Sequence, residues 1–276
     1  DRYIPADWTR MSMQALEETV DQIPDDEFWA VHELSRHSLV RRVRRLQQSS
    51  LTGMPSSRVQ IAGRSTLDPN ILTFGFARRF ATYKRGTLLL RNPERLLKLL
   101  RNEEHPVQFI FAGKAHPADE GGKRLIQQLV QFAETNQVSD RLIFLEDYDI
   151  GLARFLVQGV DVWLNTPKRP QEASGTSGMK AAANGVLNCS ILDGWWAEAY
   201  SPERGWAIPS NDNYEDPEDA DNLESQELFN IIENEIIPCF YERTNDLPLR
   251  WIGMMKRSLA MAFHNFSSRR MVAQYN

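Results

Sequence analysis

Between residues 71 and 210, short apolar runs rich in β-forming residues alternate with segments of helical periodicity, and this alternation constrains the fold most. The runs lie at 71–76, 107–112, 142–145, 160–164 and 186–192. The helical patterns lie near 85–101, 120–136, 150–158 and 176–184. Strands that are apolar on both faces and alternate with helices indicate a parallel sheet covered by helices on both sides. We therefore predict an α/β, Rossmann-like core over residues 71–210.

The chain on either side of this core is predicted to be largely helical. Residues 1–70 read as a helical lead-in followed by a linker, because 24–46 carry an apolar stripe after an acidic start and 49–70 are rich in Ser, Gly, Pro and Thr. Residues 211–276 read as an acidic surface loop and C-terminal helices around 223–236, 250–263 and 267–274. We expect this tail to form one domain with the core. The other face of the first long helix is interpreted as a solvated basic face, and its cations are Arg36, Arg41, Arg42, Arg44 and Arg45.

Charge and composition argue against several classes of protein. Lys and Arg number 32 against 37 Asp and Glu, a net charge of -5, which disfavours a dedicated nucleic-acid-binding protein. No apolar run approaches the ~18 residues of a membrane span. Cys189 and Cys239 form neither a disulfide framework nor a metal motif, and the histidines are scattered. We predict a cytoplasmic protein without a metal site. The start at Asp1, without an initiator Met, leaves both a natural product and a processed or excised piece of a longer protein open.

The segment 172–180, Glu-Ala-Ser-Gly-Thr-Ser-Gly-Met-Lys, joins small residues to the start of a predicted helix. Small residues let the backbone approach a bound group closely, and N–H groups at a helix start favour phosphate. Lys180 lies about one turn into this helix, so its amine suits either charge pairing or a Schiff base with a phosphorylated aldehyde. The residue order of a Walker A loop is absent. An ordinary glycine-rich turn between strand and helix stays open as an alternative.

A basic segment follows the first predicted strand. It carries Arg78, Arg79, Lys84 and Arg85 at the mouth of the crevice where such sheets bind ligands. Cations at a helix start oppose the macrodipole, which favours a bound anion over a solvated basic surface. Arg supplies a rigid fork for phosphate oxygens and Lys a mobile point charge, so Arg79 and Lys84 are predicted to hold one anion. Because both loops leave the same edge of the sheet, we expect two anionic groups in one pocket.

These motifs resemble those of the α-glucan phosphorylase family (glycogen, starch and maltodextrin phosphorylases), in particular its shorter bacterial and archaeal branch. The resemblance covers nearly all of residues 24–276 and corresponds to the C-terminal domain of a two-domain GT-B architecture. It is carried by RRFATYKR at 78–85, FAGKA at 111–115, FLEDY at 144–148, EASGTSGMK at 172–180, NG at 184–185 and LDG at 192–194. The segment 172–180 beside 78–85 is highly specific.

The resemblance implies pyridoxal 5′-phosphate as cofactor. Lys180 matches the lysine that holds this cofactor covalently, and Tyr148 matches an aromatic residue near its ring. The cradle for its phosphate is matched by Arg78 and by the backbone of Gly175, Thr176 and Ser177.

The resemblance also implies the substrate contacts. Arg79 and Lys84 match the pair that binds inorganic phosphate or the phosphate of glucose 1-phosphate. Groups that hydrogen-bond glucosyl hydroxyls are matched by Glu172, Ser174 and Gly175, and Tyr83 is expected to join them. The predicted catalytic residues are thus Lys180, Arg79 and Lys84.

The implied reaction is reversible phosphorolysis of an α-1,4-glucan to glucose 1-phosphate, with retention at the anomeric carbon. The cofactor phosphate moves a proton in this scheme, and a phosphate monoester has a pKa of about 6, which suits proton transfer at neutral pH. The family's N-terminal half completes the active site, so this chain alone is expected to be inactive or nearly so; a homodimer is a further expectation. Ala81 replaces a histidine of the animal and plant enzymes, and Trp195–Trp196 replace a smaller polar pair, which leaves acceptor preference open.

Two alternatives remain at this point. A nucleotide-sugar glycosyltransferase of the same architecture also places Arg, Lys and Glu around a diphosphate, but it does not need Lys180. A non-catalytic glucan- or cofactor-binding module would keep the fold without turnover. Among the other residues, His116 is interpreted as a solvated loop residue and Trp251 as core or interdomain surface. Asp193 and Glu198, which flank the Trp pair, suit either sugar contact or a turn cap.

Overall fold

The computed structural model describes residues 2–51, 67–210 and 217–275. The strands are β1 Leu72–Ala77, β2 Val107–Ala112, β3 Leu142–Leu145, β4 Val162–Asn165, β5 Leu187–Ile191 and β6 Gly205–Ile208. The helices are α1 Met13–Asp21, α2 Asp25–Leu51, α3 Pro93–Leu100, α4 Glu120–Thr135, α5 Ile150–Gly159, α6 Thr176–Ala182, α7 Trp195–Ala199, α8 Pro217–Ile231, α9 Ile237–Tyr241, α10 Leu249–Phe266 and α11 Ser268–Tyr275. A π-helical turn, Ile232–Ile236, joins α8 to α9.

The six strands form one parallel sheet in the order β3-β2-β1-β4-β5-β6. The chain builds outward from β1 to β3 and then returns to the other side of β1 with β4. The point where the order reverses lies between β1 and β4, where Phe74 pairs with Val162 and Gly75 with Trp163. In open parallel sheets this reversal opens a crevice at the carboxyl ends of the strands. The loops that follow β1 and β4 therefore meet at that crevice.

Helices cover both faces of the sheet, as the apolar strands predict. Side chains alternate along each strand, so Phe109 and Phe111 of β2 lie in the larger core cluster while Ile110 and Ala112 lie in the smaller one. The larger cluster contains residues of α3, α4, α8, α9 and α10, and the smaller contains residues of α2, α5 and α6. The α/β, Rossmann-like parallel sheet predicted from the sequence is thus confirmed.

The predicted strands agree with the structure to within two residues at each end. The sequence analysis missed β6, a four-residue edge strand that follows a polar turn. It also missed α1, which the broad helical lead-in did not separate from α2. The interpretation of 49–70 as a connection falls largely on residues 52–66, outside the described ranges, as does the start of the acidic loop at 211–216.

The prediction of a solvated basic face on α2 is wrong for Arg36. Its side chain is 4% exposed, and its Nε lies 3.2 Å from Oδ1 of Asp161, which is fully buried. His32 contacts the same oxygen at 2.8 Å through Nε2, and the backbone N–H of Thr73 donates to Oδ2. This buried cluster fastens α2 to β1 and to the start of β4. A cation enters the core here because a carboxylate far along the chain neutralises it.

Candidate active site

The loop after β1 is held in place by one buried aromatic ring. Phe80 is almost fully buried and packs edge-on against Phe76 and Phe144. Its backbone N–H donates to the carbonyl of Lys114, and that of Arg78 donates to the carbonyl of Ala112. The loop therefore continues the pairing of β1 with the segment after β2. With Phe80 directed into the core, Arg78 is half-buried and Arg79 is exposed.

Three charged side chains converge between the loops that follow β1 and β4. Glu172 Oε2 accepts hydrogen bonds from Arg78 Nη2 and from Lys84 Nζ, each at 2.7 Å. The carboxylate is 7% exposed and each cationic side chain 11% exposed. Arg78 also donates to Asn165 Oδ1 at the end of β4. Two cations and one carboxylate leave this group with a net positive charge, which favours an added anion.

The ionisation of these groups follows from their contacts. Burial by itself raises the pKa of Glu172, but the hydrogen bond from Lys84 and the charges of Arg78 and Lys84 outweigh it, so the pKa lies below its usual value. Lys84 lies 4.5 Å from the centre of the Tyr83 ring. Its hydrogen bond lowers the pKa of the Tyr83 phenol, and Arg79 contributes in the same direction. Glu172 is therefore an anion at neutral pH.

A second loop forms the other wall of the crevice and ends at α6. Asp193 shapes it, since Oδ2 accepts from the Glu172 N–H and Oδ1 from the Gly194 N–H, both at 2.9 Å. Gly175 is the N-cap of α6 with φ +88°, in the left-handed region that favours glycine. Having no side chain, Gly175 leaves the first N–H groups of α6 without a side-chain cap. The turn-cap alternative for Asp193 is thus the one that the structure supports.

A cavity of about 470 Å³ lies between these loops. Nine of the eleven predicted site residues line it: Arg78, Tyr83, Lys84, Tyr148, Glu172, Ser174, Gly175, Thr176 and Ser177. Arg79 does not line it, although its contact with Tyr83 places it beside the cavity. Burial raises the pKa of Tyr148, against the charge of Arg78.

Lys180 faces a neighbouring cavity of about 610 Å³. The two cavities share Ala173, Ser174 and Thr176 as lining residues. The Lys180 side chain is exposed, and α11 forms the opposite wall through residues such as Arg270 and Met271. The structure thus brings the cations of the first loop together with the turn before α6, whereas Lys180 lines the adjoining cavity.

The other candidate residues from the sequence do not line the 470 Å³ cavity, which is called the charged cavity below because Arg78, Lys84 and Glu172 line it. Trp195 and Trp196 are buried at 3% and 0% exposure, so neither ring face is free to stack on a sugar. Glu198 is exposed and lines the cavity of Lys180. His116 lies in an exposed loop, where its Nδ1 accepts from the N–H of Ala118. Trp251 is fully buried core.

The sequence analysis missed Asn165, which is buried and links Arg78 to Ser190 through its amide. A polar residue at the end of an otherwise apolar run was the available signal. Within the described ranges, no group of three or more His, Cys, Asp or Glu side chains could hold a metal ion. Of the helices in those ranges, none is sufficiently long and apolar to cross a membrane.

Comparison with known proteins gives consistent matches. The sequence model of the family described as carbohydrate phosphorylase matches residues 10–200. The chain is 44% identical to a glycogen phosphorylase of Aquifex aeolicus over 264 residues, which is 95% of this chain and 38% of that protein. It is 43% identical to a maltodextrin phosphorylase of Thermococcus litoralis over 100% of this chain and 32% of that protein. A glycogen phosphorylase of Mycobacterium tuberculosis is 48% identical over 92% of this chain and 30% of its own length.

The chain thus spans about a third of the length of the relatives that it matches. The match to the family model extends from α1 through α7 and includes both loops that line the charged cavity. At 43–48% identity over nearly the whole chain, these matches join the sequence motifs to the parallel sheet and its crevice. On this evidence, the chain belongs to the carbohydrate phosphorylase family.

Proposed function

We propose that this chain is the cofactor- and phosphate-binding part of an α-glucan phosphorylase, which transfers a glucosyl unit reversibly between an α-1,4-glucan and inorganic phosphate. The observation that carries the proposal is the convergence of Arg78 and Lys84 beside the turn that precedes α6. The names of the relatives, glycogen and maltodextrin phosphorylase, support the glucan and the phosphate as substrates.

Pyridoxal 5′-phosphate fits the residues present. Arg78 Nε is buried and has no hydrogen-bond partner among the described residues, so a donor is left for an acceptor oxygen at the cavity wall. An added Cβ at Gly175 would lie 3.0 Å from the Trp195 ring, in a backbone conformation that strains other residues. In the proposal, Arg78 and the backbone of residues 175–177 hold the cofactor phosphate, and Lys180 holds its aldehyde. When bound, the cofactor would supply a phosphate monoester, whose pKa of about 6 allows proton donation at neutral pH.

The side chains of this chain then have distinct tasks. Lys84 and Arg79 bind and orient the substrate phosphate, since a lysine adapts its position and an arginine offers paired donors. Glu172 stays ionised because of Lys84 and Arg78, and its carboxylate accepts hydrogen bonds from glucosyl hydroxyls. Tyr83 and Ser174 complete the polar wall. The cations hold two oxyanions close together, and those oxyanions stabilise the positive charge that develops beside them at the anomeric carbon.

The glucan channel and further sugar contacts belong, in this proposal, to the part of the enzyme outside these residues. We expect that N-terminal half to be needed for turnover and expect no phosphorolysis from this polypeptide alone. We also propose that the enzyme is a homodimer and that it is located in the cytoplasm.

Covalent labelling tests the proposal. The chain is incubated with pyridoxal phosphate, the linkage is fixed by borohydride reduction, and the labelled peptide is identified by mass spectrometry. We expect one dominant label at Lys180 and its loss in Lys180→Ala. Lys168→Ala is the matched control, because Lys168 lies in the loop that leads to α6 and contributes its backbone N–H to the carbonyl of Tyr83. A dominant label at another lysine, or labelling that survives Lys180→Ala, would contradict the proposal.

A further inference from the structure

The fourth cation of the basic segment, Arg85, is not part of the cavity lining. Its side chain is 6% exposed, and its backbone has φ 47° and ψ 46°, the left-handed region. A residue other than glycine in this region costs about 1–2 kcal/mol, and such residues persist where their surroundings hold them. Contacts on several sides of the guanidinium supply that restraint.

The Arg85 guanidinium joins three segments of the chain. Nε donates to the carbonyl of Thr166 at 3.0 Å, and Nη2 donates to the carbonyl of Pro167 at 2.8 Å. On the far side, Nη1 lies 2.8 Å from Asp221 Oδ1, and Nη2 lies 2.5 Å from Glu224 Oε2. The carbonyls belong to the loop after β4 and the carboxylates to α8. Arg85 therefore bridges the loop after β1, the loop after β4 and an acidic helix.

Two further contacts hold the same loops together. The Thr166 hydroxyl lies 3.3 Å from the carbonyl of Lys84 and 3.1 Å from that of Arg85. The backbone N–H of Lys168 donates to the carbonyl of Tyr83 at 2.7 Å. These contacts surround the backbone of residues 83–85, so the direction of the Lys84 side chain toward Glu172 depends on them.

We propose that Arg85 is a positioning residue for the oxyanion site: it fixes the loop after β1 against the loop after β4, so that Lys84 meets Glu172 and Arg78. This inference rests on the proposed function for the identity of the ligand, but the geometric role stands without it. A planar fork of five N–H donors suits two carbonyls and two carboxylates at once. A lysine at this position cannot make that set of contacts.

The test compares Arg85→Gln with Arg91→Gln in the full 276-residue chain. Arg91 is the matched control: it pairs with Glu218 and Asp221 of the same helix α8, yet its side chain is 38% exposed. Arg85→Lys is the second variant, since it keeps a positive charge between Asp221 and Glu224 and so protects folding. Calorimetry measures the affinity for inorganic phosphate. Carbon-13 NMR of labelled tyrosine, assigned with Tyr83→Phe, measures the pKa of the Tyr83 phenol without any ligand.

We expect phosphate affinity to fall on the order of tenfold in both Arg85 variants, which corresponds to the loss of about one hydrogen bond between Lys84 and the phosphate. The Tyr83 pKa should rise toward its ordinary value in the same variants, because the contact with Lys84 lowers it in the parent chain. Arg91→Gln should leave both quantities unchanged. Folded Arg85 variants with unchanged Tyr83 titration, or an equal effect from Arg91→Gln, would overturn the positioning role. If the parent chain binds no phosphate, the proposed function fails, while the Tyr83 titration still decides the role of Arg85.

Discussion

Neutralising Glu172 should destabilise the fold when no oxyanion is present. In Glu172→Gln the amide keeps one acceptor oxygen but removes the negative charge that two hydrogen bonds of 2.7 Å now satisfy. Hydrogen bonds to charged groups contribute about 1.5–3 kcal/mol each, and breaking a buried ion pair costs about 3–5 kcal/mol. Arg78 and Lys84 retain some exposure to solvent, and the amide of the variant retains one acceptor oxygen. We therefore expect the free energy of unfolding to fall by about 3 kcal/mol, the lower end of the range for a buried ion pair.

Thermal denaturation followed by circular dichroism measures this effect. The chain has 276 residues, and at about 2.1 cal/mol/K of unfolding entropy per residue 1 kcal/mol corresponds to roughly 2 °C in Tm. Glu172→Gln should therefore melt about 5 °C lower in phosphate-free buffer. An added oxyanion supplies the missing negative charge, and a ligand at 100 times its Kd stabilises by about 2.7 kcal/mol. Inorganic phosphate should therefore raise the Tm of the variant more than that of the parent chain.

Glu146→Gln is the matched control, at the same edge of the sheet. Burial raises the pKa of Glu146, and Asp147 adds to the rise, so its charged form is disfavoured in the fold and neutralisation should leave the Tm unchanged or slightly higher. The two acids also predict opposite pH dependence. Because its pKa is lowered in the fold, Glu172 stabilises the fold at pH values above its pKa in the unfolded chain, and this stabilisation is lost as the pH falls through its pKa in the folded chain. Because the pKa of Glu146 is raised in the fold, its protonation stabilises the fold as the pH falls. Equal Tm values for Glu172→Gln and the parent chain, or a smaller phosphate effect in the variant, would refute the reasoning.

Three further substitutions test other parts of the structure. Asp161→Asn removes the buried carboxylate between β1 and α2 and should lower the free energy of unfolding in urea by about 3–5 kcal/mol. An unchanged urea midpoint would show that His32 and Arg36 do not need the negative charge of Asp161. Gly113→Ala places a Cβ 2.1 Å from the carbonyl oxygen of Arg78, so it should displace that loop and weaken phosphate binding by calorimetry; undiminished affinity would contradict this. Lys256→Met removes an ammonium that lies 2.7 Å from Asp25 Oδ1 and donates to the carbonyl of Ile23 in the turn between α1 and α2. Chemical denaturation should show a loss of about 1–3 kcal/mol in the free energy of unfolding, and no loss would contradict a stabilising role for these contacts.

The strands were predictable because their hydrophobic pattern is set by burial on both faces, a property that each segment carries locally. Every residue of β1 through β5 is buried, most of these residues are apolar, and the helices between the strands show the longer periodicity. The sequence analysis missed β6 because an edge strand of four residues has too few positions to show a hydrophobic pattern. The helical lead-in was predicted as a whole, but its internal boundary was not, since α1 and α2 are separated by only a short turn.

The site loops were predictable for a different reason: their residue types violate local preferences. Cations crowd a turn in 78–85, and small residues interrupt the start of α6. Their partners were not predictable, because pairing depends on where the sheet brings distant segments. Glu172 meets Arg78 across 94 residues, and His32 meets Asp161 across 129. No local pattern distinguishes the buried Arg36 from the exposed or half-buried arginines that follow it on α2.

The ion pairs within the site allow the chain to fold before any ligand binds. Arg78, Lys84 and Arg85 are brought to one edge of the sheet, where their mutual repulsion would oppose the fold if no negative charge accompanied them. Glu172 neutralises part of the first two, and the carboxylates of α8 neutralise the third. The division leaves Arg85 fully compensated and the cavity with a net positive charge. Such a site is preformed, because the carboxylates of Glu172, Asp221 and Glu224 already hold the loops of the proposed oxyanion site in place. If Glu172 instead proved dispensable for stability, the compensation would have to come from solvent, and the cavity would be an open basic surface without a preformed site.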